Sequence, residues 1–344
     1  MSREATRAFG KIILFGEHFV VYKVPALVGA VAAATDCEVV FTDAPGLEVI
    51  DDRPAVPGYK VEKKAEGDVA IGLVLEHFGL DSAKRGMKIT FGGDLCAVSG
   101  IGASAAQVVA MARAIGFALP KELTLEEINA AGYAGEKGYH GTPSGIDNTA
   151  ATYGGLIRFQ RTDGDPIFEM KKIKAPVRRH PNLHLPPGGS PSRHRVRRAR
   201  THADPRPTQV RIVYASTGIT ASTSTVVGDV RAKKEADPAW FDGLMAEYLK
   251  VVGLAEPAIE AADWPTLGRL MDENHALCQK LTVSCAELDE LVDIARKAGA
   301  LGAKMSGTGR GGLMLALTPT PEVQEAVEKA LAAKAPQVWS TMLA

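Results

Sequence analysis

Net charge and a membrane-spanning run are both missing from this sequence. Forty basic residues balance forty acidic residues, so the formal net charge is zero. A balanced chain has no overall attraction to nucleic acid or to an anionic membrane surface. The most apolar stretch, residues 19–35, is too short to span a bilayer and is interrupted by Lys23 and Pro25. We therefore expect no nucleic-acid partner and no membrane association.

Cysteine is scarce, and the start of the chain lacks the pattern of a signal peptide. The four cysteines form no C-x-x-C pair and no zinc-type cluster with histidine. In a chain of this length that pattern favours reduced, mostly buried thiols over disulfides. The first seven residues carry charges of both signs, without a basic and then apolar leader. These features predict a soluble, cytoplasmic protein.

Apolar periodicity predicts a mixture of strands and helices. Strands are expected at residues 11–15, 37–42, 88–91, 156–160, 210–214 and 312–317, and helices at 104–119, 124–138, 239–261, 266–281, 285–297 and 321–334. Thr124 followed by Glu127 has the spacing of a capping box. Residues 25–34 fit either a buried strand or a short helix. Separate runs of strands and helices indicate the α+β fold class.

Residues 176–207 depart from this pattern. They contain seven prolines, eight arginines, four histidines and a single acid, Asp204. Apolar residues are too sparse there to bury much surface, so we expect an exposed linker or insertion between two domains at 1–175 and 208–344. The alternative is an arginine patch for RNA or an acidic partner, and the lack of aromatic residues for base stacking argues against it.

Two segments in the first third of the chain could carry chemistry. Lys11 lies on an apolar strand, with Glu17 and His18 at the strand's end, where functional sites are common. Residues 99–106 place glycines just before a helix near Ser104, an arrangement that can hold phosphate with backbone N–H groups. Taken alone, the first segment also fits an edge lysine with a polar turn, and the second a simple capped turn.

Two later segments complete the set. Glu136 closes a helix and Asp147 follows a turn, so one acid could hold a metal and the other accept a proton. They could equally be surface acids, one of them acting as a cap. Residues 302–312 contain five glycines and can form an anion-binding nest or a flexible hairpin. Together the four segments supply what phosphoryl transfer requires: phosphate cradles, a metal carboxylate, a cation and a base.

In this order and spacing, the four segments resemble the mevalonate kinases of the GHMP superfamily. KIILFGEHFVVY is similar to the family's substrate-side opening, SGIGASA to its phosphate loop, HGTPSGIDN to its most specific motif and GTGRGG to its closing motif. The likeness is greatest to the trypanosomatid-like form and covers about residues 8–165 and 210–344. It implies a two-domain GHMP kinase fold, with a ribosomal-S5-like N-terminal domain and a ferredoxin-like C-terminal domain.

The resemblance also implies an activity: phosphorylation of the 5-hydroxyl of mevalonate by ATP, with Mg²⁺, in isoprenoid and sterol biosynthesis. Asp147 would be the catalytic base, and Lys11 would pair with it and lower the pKa of the substrate hydroxyl. Ser104 and Glu136 would hold Mg²⁺. The implied ATP-binding residues are Ser99, Gly100, Ile101, Gly102, Ala103, Ser104, Gly307 and Gly309.

For the acceptor, the resemblance implies that Glu17, His18 and Val21 bind mevalonate. Phe9, Lys23 and Ala103 depart from the family pattern, where Pro, Gly and Ser are usual. Another GHMP kinase, acting on phosphomevalonate, on the 3-hydroxyl of mevalonate or on homoserine, is the main alternative. A non-catalytic ligand-binding relative is the other. We expect a monomer or a homodimer.

Overall fold

The computed structural model describes residues 3–98, 100–120, 122–164, 167–174 and 210–343. The sequence-based predictions for Ser99 and for residues 176–207 lie outside these ranges. The strands of the described chain are β1 (Ala8–Phe15), β2 (Ala26–Thr42), β3 (Leu47–Asp51), β4 (Gly86–Gly93), β5 (Leu156–Arg161), β6 (Phe168–Ile173), β7 (Arg211–Ser216), β8 (Gly302–Ser306), β9 (Leu313–Thr318) and β10 (Gln337–Met342).

The helices lie between these strands in the chain, and some pack on the sheets while others, such as α2 and α4, pack on neighbouring helices. They are α1 (Tyr59–Glu62), α2 (Lys64–His77), α3 (Ala103–Ala118), α4 (Leu125–His140), α5 (Ile146–Tyr153), α6 (Thr223–Ala236), α7 (Pro238–Glu260), α8 (Trp264–Lys280), α9 (Ala286–Lys297) and α10 (Pro321–Ala332). None of these helices is both long and apolar enough to cross a bilayer.

The first sheet is organised around β2, which is seventeen residues long. Its strand order is β3-β4-β2-β5-β6, and β1 pairs with β2 as well. The ambiguous run at 25–34 is therefore a strand, because its backbone is hydrogen-bonded to β1 on one side and to β5 on the other. Periodicity could not decide this, since a strand flanked on both sides loses the simple alternation of apolar and polar residues.

Helix α3 lies against this sheet and is enclosed by α4 and α5. Twelve of its sixteen residues are buried, and many of them are alanines, which permit close approach of neighbouring backbones. Helix α4 begins with the predicted capping box: Thr124 accepts from the Glu127 N–H, and the Glu127 carboxylate accepts from the Thr124 N–H. The cap fixes where α4 starts and hence where Glu136 lies.

The second sheet is antiparallel, with strand order β10-β7-β9-β8. Counted from β7, this is the order 4-1-3-2, with helices between the first and second strands and between the third and fourth. That is the ferredoxin-like arrangement. The predicted α+β class is confirmed. The prediction of a glycine-rich loop at residues 302–312 was incomplete, because residues 302–306 form the buried strand β8 and only 307–312 make the loop.

The two sheets are joined by hydrogen bonds at two places. Leu343 bridges to Val31 of β2, and the Ala32 N–H donates to the Thr341 hydroxyl at 3.2 Å. On the site side, the Ser306 hydroxyl lies 3.3 Å from the Ile13 nitrogen and 3.1 Å from its carbonyl oxygen. β8 and β1 are thus held side by side, which places the glycine loop after β8 next to the residues that follow β1.

His275 of α8 supports β8 from behind. Its Nδ1 accepts from the Met305 N–H at 3.3 Å, and its Nε2 lies 3.1 Å from Asp289 Oδ1. The ring is almost completely buried. Burial lowers the pKa of His275 to about 4, although the Asp289 carboxylate acts in the opposite direction. The folded protein therefore holds this imidazole neutral over a range in which an unfolded histidine becomes charged.

This difference predicts acid sensitivity. The unfolded chain takes up the proton as pH falls through 6.5, while the folded protein takes it up only near 4, so stability is lost on going down through that window. His275→Gln is expected to remove about 2 kcal/mol of the pH dependence between neutral pH and pH 4.5. Urea unfolding at both pH values measures it. If the variant loses as much unfolding free energy between the two pH values as the wild type does, the assignment is contradicted, whatever the variant's stability at neutral pH.

Candidate active site

Lys11 and Asp147 meet at the centre of the site. Lys11 is on β1, and its ammonium lies 3.1 Å from Asp147 Oδ1. Asp147 is the second residue of α5, whose start is set by Gly145 in the left-handed region (φ 87°). The lysine side chain is 6% exposed and the aspartate 24%, so the pair is open to solvent on the aspartate side. A carboxylate placed in this way can accept a proton from a bound hydroxyl.

Glu136 lies beside this pair, near the end of α4. Its side chain is 1% exposed, and neither carboxylate oxygen has a hydrogen-bond partner of acceptable geometry among the described residues. Burial and the nearby Asp147 raise the pKa of Glu136 to about 8, while the Ser104 hydroxyl and Lys11 act in the opposite direction. A buried carboxylate without donors is an unsatisfied group that a bound cation would complete.

The glycine loop before α3 passes directly over Lys11. The Lys11 N–H donates to the Ile101 carbonyl at 2.7 Å. Gly102 has φ 72°, and a Cβ built on it would lie 2.8 Å from Lys11 Cγ. Ala103 and Ser104 then begin α3, with their N–H groups at its N-terminus. A helix start with glycines ahead of it is a favourable place for phosphate, and here it is adjacent to the Lys11–Asp147 pair.

The contact at Gly102 gives a testable consequence. Gly102→Ala is expected to lower the free energy of unfolding by about 1–2 kcal/mol through backbone strain. It should also lower kcat for the phosphoryl transfer that the resemblance implies by about tenfold, because the new methyl group displaces Lys11. Gly79→Ala is the matched control, since Gly79 has φ 66° and nothing within 4 Å of the added carbon. The control should lose similar stability and keep its kcat. Equal kcat values in the two variants, from steady-state assays, would contradict the role of this contact.

The second glycine loop faces the first. A Cβ built on Gly307 would lie 3.9 Å from the Cα of Gly100, so the two loops approach each other across the site. Gly309 has φ 79°, and a Cβ there would lie 2.0 Å from the Val283 carbonyl oxygen. No larger residue fits at that position without moving the backbone. The structure thus places Gly307 opposite Gly100, with Gly309 two residues further along the same loop.

The residues after β1 approach this cleft from the other side. His18 is buried, has φ 57°, and donates from Nε2 to the Thr308 carbonyl at 2.6 Å. Its Nδ1 is buried and has no hydrogen-bond partner within the residues that the structure describes. Burial lowers the pKa of His18, so the ring is a neutral acceptor at Nδ1. Val21 packs against the small apolar cluster that includes Ile146, the residue before Asp147.

Glu17 has a partner that the sequence did not indicate. Its carboxylate forms an ion pair with the ammonium of Lys304 from β8, and both side chains are 0% exposed. The Lys304 ammonium also donates to the Met305 carbonyl at 2.7 Å. The pair joins the two sheets directly beneath His18. Its partners are 287 residues apart, a separation at which no local pattern signals pairing.

Two further features were missed from sequence. His140, one turn after Glu136, brings its Nε2 to 3.6 Å from Glu136 Oε2. Burial lowers the pKa of His140. A cavity of about 290 Å³ also lies close to the loop before α3, lined by Arg53, Ala55, Val56, Gly58, Lys60 and Val61. Arg53 links this cavity to the start of α3, because its guanidinium donates to the Ala103 carbonyl at 3.1 Å.

Comparison with known proteins agrees with this geometry. The family model for the GHMP kinases N terminal domain matches residues 63–155, and the model for GHMP kinases C terminal matches residues 255–337. Mevalonate kinase of L. major, solved in complex with R-mevalonate, superposes with a TM-score of 0.86 at 40% identity, covering 98% of this chain and 95% of that one.

A curated relative gives the same result at the level of sequence. Mevalonate kinase of Thermococcus gammatolerans is 32% identical over 358 residues, covering 98% of this chain and 95% of its own. The structure of the Methanococcus jannaschii mevalonate kinase shares the fold, with a TM-score of 0.72 at 22% identity. The resemblance seen in the four motifs is confirmed, and the chain belongs to the mevalonate kinase family of the GHMP kinases.

Proposed function

We propose that this chain transfers the γ-phosphoryl group of ATP to the 5-hydroxyl of mevalonate, giving 5-phosphomevalonate and ADP, a step of isoprenoid biosynthesis. The observation that carries the proposal is the Lys11–Asp147 pair, whose atoms lie 3.1 Å apart beside the glycine loop before α3. The L. major relative, with R-mevalonate bound, supports mevalonate as the acceptor.

Asp147 acts as the base in this mechanism. Its carboxylate accepts the proton of the 5-hydroxyl as that oxygen attacks the γ-phosphorus and the bond to ADP breaks. The Lys11 ammonium stabilises the negative charge that grows on the attacking oxygen, which lowers the pKa of the hydroxyl. Because Lys11 is buried and also bonded through its backbone to Ile101, the cation stays in place as the charge develops.

The loop before α3 would bind the phosphates of ATP. Gly100 and Gly102 have positive φ values, so their N–H groups can turn toward an anion, and the α3 N-terminus adds its dipole. Gly307 and Gly309 close the cleft from the other sheet. The open pocket beside Arg53 lies next to the same loop, since Arg53 donates to the Ala103 carbonyl, so we assign the adenosine end of ATP to it.

Mg²⁺ fits the residues present. Glu136 offers two buried oxygens for which the described ranges supply no hydrogen-bond partner of acceptable geometry, and the Ser104 hydroxyl lies beside that carboxylate at the start of α3. Hard oxygen ligands of this kind are those that Mg²⁺ prefers. We propose that Ser104 and Glu136 hold it. When bound, the ion would neutralise charge on the phosphates of ATP.

The acceptor end of the site would be formed by Glu17, His18 and Val21. The neutral His18 offers an unprotonated Nδ1 that no other described residue contacts by a hydrogen bond, and such an acceptor suits a substrate hydroxyl better than a carboxylate. We assign it to the 3-hydroxyl of mevalonate. Glu17 would act through its pair with Lys304 by fixing the backbone that carries His18. The domain boundaries, a monomer or homodimer, and the cytoplasmic location stay predictions.

Steady-state turnover tests the proposal directly. ADP release is measured with ATP, Mg²⁺ and each of three acceptors, mevalonate, phosphomevalonate and homoserine, and the product is identified by ³¹P NMR as a 5-phosphate or a 3-phosphate. We expect turnover with mevalonate and a 5-phosphomonoester product. Faster turnover with another alcohol, or a 3-phosphate, would assign the chain to a different GHMP reaction. No turnover with any alcohol would favour a ligand-binding relative.

A further inference from the structure

Three side chains around the reacting centre have the disposition of a metal site that contains a nitrogen ligand. Among the described residues, Glu136, His140 and Asp147 each place one ligand atom within 4.8 Å of the other two. Glu136 and His140 are one turn apart on α4, with Nε2 and Oε2 separated by 3.6 Å. Two ligands of one tetrahedral ion with bonds of about 2.1 Å lie about 3.4 Å apart, so little movement is needed.

A second observation points to a cation independently of this clustering. The Glu136 side chain is almost completely buried, and in the part of the chain that the structure describes neither of its oxygens has a hydrogen-bond partner of acceptable geometry. A group in that state is costly unless a cation or a donor reaches it. The His140 side chain is 45% exposed and can turn toward the carboxylate from the solvent side.

The imidazole decides which ions this arrangement favours. Mg²⁺ prefers oxygen ligands and would be held by Glu136 and Ser104 without His140. Zn²⁺, Co²⁺ and related ions bind imidazole nitrogen well and follow the Irving–Williams order of affinity. Glu136 and His140 occupy positions i and i+4 of α4, so both lie on one face of the helix, and this is the spacing at which two histidines bind Zn²⁺ in the H-E-x-x-H motif.

One nearby charge opposes such an ion. The Lys11 ammonium lies 3.1 Å from Asp147 Oδ1 and repels a second cation at that carboxylate. This repulsion gives a test, because removing the Lys11 ammonium must raise the affinity for the metal and removing the His140 imidazole must lower it.

We propose that Glu136, His140 and Asp147 bind a late first-row divalent cation such as Zn²⁺ or Co²⁺ directly, without nucleotide, and that this ion inhibits the transfer reaction by occupying Asp147. The inhibition rests on the proposed function; the binding does not.

Cobalt absorption tests the binding on the nucleotide-free full-length protein. Titration with Co²⁺ should give a saturable visible d–d band at one equivalent. His140→Gln is expected to weaken this binding by about tenfold or more, as loss of a ligand does, and Lys11→Met to tighten it. His77→Gln, a change at an exposed histidine of α2, should match the wild type. A band unchanged by both His140→Gln and Glu136→Gln would overturn the proposal.

Zinc inhibition tests the consequence. With ATP, Mg²⁺ and mevalonate, Zn²⁺ should inhibit the wild type reversibly on addition of a chelator, and about tenfold more Zn²⁺ should be needed for His140→Gln, relative to its own uninhibited rate. Equal sensitivity of the two proteins would overturn the inhibitory role. A His140-dependent cobalt band in a chain that turns over no alcohol would remove the kinase proposal alone. Normal turnover without that band would remove the metal proposal alone.

Discussion

Replacing Asp147 with asparagine is expected to lower kcat for mevalonate phosphorylation by about a thousandfold or more. The amide keeps the size of the side chain but cannot take the proton of the hydroxyl. ATP affinity should change little, because the phosphates are assigned to the loop before α3 and Asp147 is on α5. A coupled assay of ADP release gives kcat, and calorimetry with a non-hydrolysable ATP analogue gives the affinity.

Asp163→Asn is the control for this experiment. Asp163 also pairs with a lysine, Lys23, but its side chain is 82% exposed. That variant should behave like the wild type. Turnover of Asp147→Asn near the wild-type value would remove the assignment of Asp147 as base, and a large loss of ATP affinity would show that the residue binds nucleotide instead.

Replacing Lys304 with methionine is expected to destabilise the protein by about 3–5 kcal/mol. The change leaves the Glu17 carboxylate charged, fully buried and without its cation. Methionine has nearly the volume of the lysine stem, so the loss reports the unpaired charge more than a cavity. Urea unfolding at neutral pH measures the free energy.

The double variant Glu17→Gln, Lys304→Met separates charge from packing. With both charges removed, most of the lost stability should return, as is seen for buried pairs replaced by neutral groups. Lys280→Met is the surface control, since Lys280 and Glu247 form a 2.8 Å pair with both side chains about half exposed. It should change stability by less than about 1 kcal/mol. A double variant no more stable than Lys304→Met would contradict the buried-pair account.

Local signals in the sequence account for much of the fold. The Thr124–Glu127 capping box was predicted and is present, because it depends on residues three apart. The strand at 25–34 could not be decided, because its identity depends on partners in β1 and β5. Helix α5 was missed, since a short helix after Pro143 and Gly145 looks like a turn from its composition.

In the site, too, features set by nearby residues could be predicted and features set by distant partners could not. Lys11 is an unusual residue type for an apolar strand, and the structure brings it together with Glu136 and Asp147, which from the sequence could equally have been surface acids. The partner of Glu17 was not predicted, because a lysine in a short apolar strand gives no indication of which distant acid it meets. His140 was overlooked for a different reason. Its spacing from Glu136 on α4 can be read from the sequence, but the sequence does not show that Asp147, on another helix, lies close to both.

The contacts between the two halves of the protein limit how substrates can enter the site and products can leave it. Glu17 with Lys304, Ile13 with Ser306 and His18 with Thr308 fasten β1 and the turn after it to β8 and its glycine loop. A wide clamshell motion of one half against the other would have to break all three contacts at once. Local movement of the loops at Gly100 and Gly307 would let nucleotide and acceptor exchange with all three contacts intact.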